Sequence, residues 1–174
     1  MNKNIILIGY RAAGKTTIGK SLSNYTGMKN YDMDLIIEQE TGFSISEIFN
    51  KFGEQYFRVR ENKTLQKLKN LDNSIISTGG GVVENIENRN TLKRMGLIIW
   101  LKTNTAIAYK RLLKNNIIRP PLTKLNLKNE IKNKLNKRNR LYYHLSHKTI
   151  NTGNKSIKSI TMEIIRYYNI FIKK

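Results

Sequence analysis

Apolar residues along this chain come in short dense runs, set between polar stretches whose remaining apolar positions repeat at helical spacing. Ile5-Ile6-Leu7-Ile8 is apolar at every position and stops at Gly9, which predicts a central parallel strand buried on both faces. Lys15–Asn24 then carries Ile18 and Leu22 four residues apart, the spacing of one helical face. Ser74–Thr78, Leu97–Leu101 and Lys148–Ile150 predict further strands. Residues 33–61 read as a small helical insert, in which Ser46 is expected to cap a helix bearing Ile48, Phe49 and Phe52. Glu54–Leu71 is helical in period, with Phe57, Leu65 and Leu68 facing inward. Glu84–Arg94, Ala106–Leu113 capped by Thr103, the basic stretch Leu127–Leu145, and Ile157–Tyr168 complete the predicted helices. Arg119-Pro120-Pro121 cannot continue a helix and predicts a surface loop.

Strands alternating with helices predict an α/β fold with a parallel sheet flanked by helices. The 174 residues suffice for one domain, 1–174, with a sizeable core. There is no cysteine, which excludes disulfides and thiolate metal sites, and His144 and His147 are the only histidines. No apolar stretch is long enough to span a bilayer. The first apolar run reads as a strand rather than a signal peptide, so the expected location is cytoplasmic, with no membrane partner. No oligomer interface is legible, and a monomer is expected.

The formal charge is +20, from 32 Lys and Arg against 12 Asp and Glu. Lysine and asparagine crowd weakly constrained stretches such as Asn126–Lys137, so the excess reads first as compositional drift at solvated positions. It would also steer anions such as ATP towards the protein. Aromatics do not punctuate the basic runs as a base-stacking platform requires, so no specific nucleic-acid partner is expected.

Gly9-Tyr10-Arg11-Ala12-Ala13-Gly14-Lys15-Thr16 matches G-x-x-x-x-G-K-T between a predicted strand and a predicted helix, the context such a loop requires. Gly9 and Gly14 permit close approach of backbone to phosphate. Amides from Gly14 to Thr17 face the anion across Ala12 and Ala13, Lys15 reaches the β- and γ-phosphates, and the Thr16 hydroxyl is suited to Mg2+. Alone, this motif leaves kinase, GTPase and ATPase open.

Other residues suggest an acceptor. Asp32 and Asp34 follow the first helix by about one short strand, where alternation would point both from one edge. Asp32 suits magnesium and Asp34 suits a hydroxyl nucleophile. Arg58 lies one helical turn before Glu61, so an arginine fork held by the glutamate is available to a carboxylate. Gly79-Gly80-Gly81 after a strand leaves room for a ligand against the backbone. Arg119 sits where a closing loop would bring its charge to transferring phosphate. Arg138, on the long basic helix, reads by itself as a surface residue.

Taken together, Gly9–Thr17, Tyr31-Asp32-Met33-Asp34, Phe57-Arg58-x-x-Glu61, Gly79–Gly81, Arg119-Pro120 and Arg138-x-x-Leu141-Tyr142 resemble the shikimate kinase family over nearly the whole chain. The resemblance implies a fold like that of nucleoside monophosphate kinases, with an acceptor-binding insert at 33–61 and a lid at 112–124. It implies transfer from MgATP to the 3-hydroxyl of shikimate. In it Asp34 holds the reacting hydroxyl, Arg58 and Arg138 bind the carboxylate, and Gly80 and Gly81 lie beside the ring. Glu61 supports that site, while Phe49 and Phe57 line it. Thr16 and Asp32 fall on the magnesium side, Lys15 and Arg119 on the phosphates, and Arg111 over adenine. Ala12 departs from the family's usual glycine, Pro121 from an apolar residue, and Tyr143-His144 from common acidic residues. Other small-molecule kinases, acting on gluconate or nucleotides, and a basic nucleic-acid-binding NTPase are the competing readings.

Overall fold

The computed structural model describes residues 3–114 and 126–173. Five parallel strands, β1 (Asn4–Ile8), β2 (Lys29–Asp32), β3 (Ser74–Ser77), β4 (Gly96–Lys102) and β5 (Lys148–Asn151), form one sheet in the order β2-β3-β1-β4-β5. Ile5 pairs with Ile75 on one side and Leu97 on the other, so β1 lies at the centre. Its residues are all buried, as the apolar run Ile5–Ile8 within it requires.

The two faces of that run carry different helices. Ile5 and Leu7 pack with Ile18 and Leu22 of α1 (Lys15–Thr26) and with Ile160 and Ile164 of α7 (Ile157–Phe171). Ile6 and Ile8 face Leu65 of α3 (Ile45–Leu68), Leu92 and Met95 of α4 (Ile86–Met95), and Tyr142 and Leu145 of α6 (Leu127–Leu145). The remaining helices are α2 (Met33–Thr41) and α5 (Thr105–Lys114). Asn4, the polar member of β1, is fully buried yet satisfied. Its amide donates to the carbonyls of Leu71 and Met95, and its oxygen accepts from Ser74 N. Those bonds tie the start of β1 to β3 and to the ends of α3 and α4.

Several local expectations are corrected. Ser44, not Ser46, caps α3, in a reciprocal capping box with Glu47. The two helices expected on either side of Gly53 are both present within α3 and meet at a kink at that residue, where φ 79° and ψ 173° suit only glycine. Residues 33–61 therefore comprise α2 and the first part of α3. Asn104 rather than Thr103 caps α5, accepting from Ile107 N, while Thr103 is buried. The Glu84–Arg94 segment divides into a 3-10 turn (Val82–Glu84) and α4, because the Asn85 side chain caps the latter. The Arg119 loop lies outside the described residues, as does most of the expected lid at 112–124.

Candidate active site

β1 ends at Gly9, whose φ of 144° and missing Cβ let the chain turn against the carbonyl of Leu101. The loop closes on an Ala13 N to Tyr10 O bond of 3.1 Å and delivers Gly14 as the N-cap of α1. No side chain caps that helix and no acid occupies its first turn, so its leading amides suit an anion. Lys15 Nζ turns back over the loop and donates to Gly9 O at 2.9 Å and Tyr10 O at 3.1 Å.

A cavity of about 450 Å³ opens over this helix end. Ala12, Ala13, Gly14, Lys15, Thr16 and Thr17 line it, and so does Arg111. Gly9 does not; it serves the loop's geometry from beneath. Arg111 donates from Nη1 to Ala12 O at 3.1 Å and from Nη2 to Thr152 O at 2.7 Å. It thereby staples the loop to the segment after β5. Thr152 also lines the cavity and carries no motif that would have marked it.

Asp32 ends β2, but Asp34 is already in the first turn of α2, so strand alternation does not relate them. Asp32 itself makes that change of direction: Oδ1 accepts from Asp34 N and Leu35 N, capping the helix. Its other oxygen accepts from Thr16 Oγ1 at 2.6 Å. Both aspartates line the large cavity.

A second cavity, about 60 Å³, is lined by Phe49, Phe57, Arg58, Gly80, Gly81 and Arg138 among others. Phe49 and Phe57 pack ring to ring at 4.9 Å. Arg58 donates from Nη1 to Glu61 Oε2 at 2.8 Å, and from Nε and Nη2 to Glu54 Oε1 at 3.2 and 2.8 Å. Glu61 is 1% exposed and lies behind Arg58 rather than on the cavity wall. Burial pushes its carboxyl up, against the opposing pull of Arg58. Glu54 is half-exposed, and there the hydrogen bond and charge of Arg58 overcome desolvation and hold the carboxyl below its usual value.

The glycine triplet does not leave open space at every position. A Cβ on Gly79 would collide with Glu61 Oε1, and one on Gly81 with the Arg58 guanidinium. These two positions make room for the protein's own ion pair. Gly80 instead approaches the phosphate loop, where a Cβ would sit 3.2 Å from Arg11 N.

Arg138 is 6% exposed, not a surface residue, because α6 turns this position onto the 3-10 turn. Its Nε donates to Glu84 Oε1 at 2.6 Å. Tyr142, one turn on, stacks on Trp100 and donates to Gly80 O, which fixes α6 against the glycine segment. Burial pushes the Tyr142 phenol well above its ordinary value, so the proton it donates stays in place.

Sequence reading passed over Tyr10, Arg11, Glu130 and Lys134, which also line the second cavity. Arg11 Nη2 pairs with Glu130 Oε1 at 3.0 Å across 119 residues of chain, a separation that no local pattern signals. Arg11, Lys15 and Asp34 line both cavities. The two chambers therefore meet at a basic residue from the loop, its lysine, and a carboxylate.

A family model described as "Shikimate kinase" matches residues 11–169. The shikimate kinase of Alkaliphilus oremlandii is 36% identical over 166 residues, 95% of this chain and 98% of that one. That of Nitrosococcus oceani is 39% identical over 166 residues, 95% and 87% of the two chains. The solved structure of shikimate kinase from Acinetobacter baumannii in complex with shikimate superposes with a TM-score of 0.88 at 34% identity, covering 94% of this chain and 91% of that one.

Proposed function

The chain belongs to the shikimate kinase family and carries out ATP-dependent phosphorylation of shikimate, and we propose that the transfer takes place where its two cavities meet. The observation that carries this reading is the sharing of Arg11, Lys15 and Asp34 by a phosphate-loop chamber and an arginine-lined chamber. A polyphosphate held by the α1 amides and Lys15 would present its terminal phosphorus towards Asp34. An acceptor whose carboxylate is held by Arg58 and Arg138 would present a ring hydroxyl from the other side.

In this reading the Asp34 carboxylate accepts a hydrogen bond from the 3-hydroxyl and takes its proton as the oxygen bonds to the γ-phosphorus. The bond to the β,γ-bridging oxygen breaks, leaving ADP and shikimate 3-phosphate. Most of the acceleration comes from alignment and from cations placed at the equatorial oxygens. Arg119 is assigned to the lid and to the phosphates by the family resemblance; it lies outside the described residues.

Both arginines of the acceptor chamber already hold protein carboxylates. Glu54 occupies the Nε and Nη2 edge of Arg58 with a single oxygen, and its side chain is 38% exposed. Exchange of that partner for the acceptor's carboxylate opens the chamber at little electrostatic cost, one anion replacing another.

Thr16 Oγ1 and Asp32 Oδ2, 2.6 Å apart beside the phosphate loop, are hard oxygen donors of the kind Mg2+ takes. No group of three or more His, Cys, Asp and Glu among the described residues could cage a metal. That suits an ion that draws its other ligands from phosphate and water. Thr16 and Asp32 would hold it, and the ion would neutralise charge developing on the phosphates.

No helix among the described residues is long and apolar enough to cross a membrane, in keeping with the cytoplasmic location proposed here. A monomer acting on a small molecule, without specific nucleic acid, completes the proposal. The deciding experiment is coupled ADP release from MgATP with and without shikimate, followed by product identification. ADP release that does not depend on shikimate, or preference for gluconate or a nucleotide, would overturn it.

A further inference from the structure

Resting on this reading of the acceptor chamber, we propose that Glu84 is the positioning residue that aims Arg138 at the acceptor's carboxylate. Glu84 Oε1 accepts from Nε of Arg138 at 2.6 Å, and among the described residues neither terminal nitrogen of that guanidinium has a hydrogen-bond partner. A two-pronged carboxylate pair takes two N–H groups of a guanidinium, whereas Glu84 takes Nε alone. Here the fork is left over, on a side chain 7% exposed in the wall of the acceptor chamber.

The glutamate's own support is rigid. Glu84 ends the 3-10 turn that follows Gly81, and its amide donates to Gly81 O at 2.9 Å. Arg89 Nη1 donates to Val83 O at 2.6 Å and to Glu84 O at 3.2 Å, holding the turn from below. Val82 and Val83 are fully buried in the core. Lys137 Nζ, 3.6 Å from Oε2, occupies the other carboxylate oxygen from solvent. The carboxylate that grips Arg138 is thus anchored to the same segment that supplies Gly80 and Gly81. Acceptor ring and acceptor carboxylate are registered against one piece of backbone.

The test reads shikimate affinity by calorimetric titration and steady-state kinetics. Loss of a supporting contact of this kind weakens a site about 10-fold or more. Glu84→Ala is therefore expected to raise the dissociation constant and KM for shikimate about 10-fold, with kcat and the KM for ATP within about two-fold. Glu84→Gln keeps an acceptor oxygen at the same reach and is expected to stay within about three-fold of the parent. With the carboxamide analogue of shikimate, which offers the Arg138 fork no anion, Glu84→Ala is expected to change affinity little.

Should Glu84→Ala melt below the parent's temperature, Glu84→Asp takes its place. It keeps the charge, draws the carboxylate back by one methylene, and is expected to show the same loss. Equal losses on shikimate and its carboxamide would overturn the proposal, since they would mark a general disturbance of the chamber. Unchanged shikimate affinity in the Glu84 variants, alongside weakened affinity in Arg138→Lys, would overturn it and leave the carboxylate role of Arg138 standing. Unchanged affinity in Arg138→Lys as well would overturn the underlying reading too.

Discussion

Thr16 Oγ1 donates to Asp32 Oδ2 at 2.6 Å, which joins the first turn of α1 to the end of β2 across the phosphate chamber. The same aspartate caps α2 with its other oxygen. One side chain therefore starts a helix and, in the proposed function, holds a metal-side position, and substitutions separate the two. Asp32→Asn keeps a capping oxygen and is expected to melt near the parent, while raising the Mg2+ concentration needed for half-maximal activity about 10-fold or more. Asp32→Ala loses both functions and is expected to be less stable by a further ~1 kcal/mol. Magnesium titration of activity and thermal melts of the two variants check this.

Asp34 sits at the meeting of the two chambers, so its substitution tests chemistry apart from nucleotide binding. Asp34→Asn is expected to retain ATP affinity and lower kcat about 10²- to 10⁴-fold, the range for loss of a positioned general base. ATP titration and steady-state turnover with shikimate are the measurements. Near-parental turnover would remove Asp34 from the mechanism.

Ala12 is held at φ 61°, a left-handed conformation that costs a residue with a Cβ about 1–2 kcal/mol. Its carbonyl must face Arg111 Nη1, which keeps the loop in that conformation. Ala12→Gly removes the strain but adds freedom to the unfolded chain, an opposing cost of about 0.4–1 kcal/mol. The expected result is a gain of roughly 0.5–1 kcal/mol in unfolding free energy, with ATP affinity unchanged or better. Chemical denaturation of the two proteins checks it.

His147 Nδ1 accepts from Ile98 N at 3.0 Å, and His147 N donates to Ile98 O at 2.9 Å, just ahead of β5. Burial lowers the imidazole below its ordinary value of 6.5, and protonation of Nδ1 would break the bond from Ile98. The unfolded chain takes up the proton first as pH falls. The stability from this group is fully present above about pH 6.5 and is lost as pH falls through the lower folded value. The ring is partly exposed, so the effect is small, at most a few degrees in Tm between pH 7.5 and pH 5.5. In His147→Gln that part of the pH dependence is expected to disappear from paired thermal melts.

Much of the frame was legible because its causes are local. The apolar run Ile5–Ile8, the glycines at 9 and 14 and the Ile18–Leu22 spacing lie within a few residues of each other, and the structure places them as strand, loop and helix. Arg58 and Glu61 were paired correctly from one helical turn of separation. Short-range competition misled in small ways. Two serines stand near the start of α3, and only the backbone decided that Ser44 makes the capping box. Asp34 was read on a strand because Asp32-Met33-Asp34 alternates, but Asp32 turns the chain into α2 by bonding the amides after it.

What lay beyond reach was everything set by distant chain. Arg138 reads as one more cation on a basic helix until α6 brings it to Glu84, 54 residues earlier. Arg11 finds Glu130 across 119 residues, and Asn4 finds Leu71, Ser74 and Met95. The chain's own order determined a nucleotide-binding loop between strand and helix, because hydrogen bonding and side-chain periodicity act over a few residues. Tertiary structure alone decided which charges face each other and where the two chambers join. Those choices depend on how the helices pack against the sheet, and that packing brings together residues with no shared local pattern.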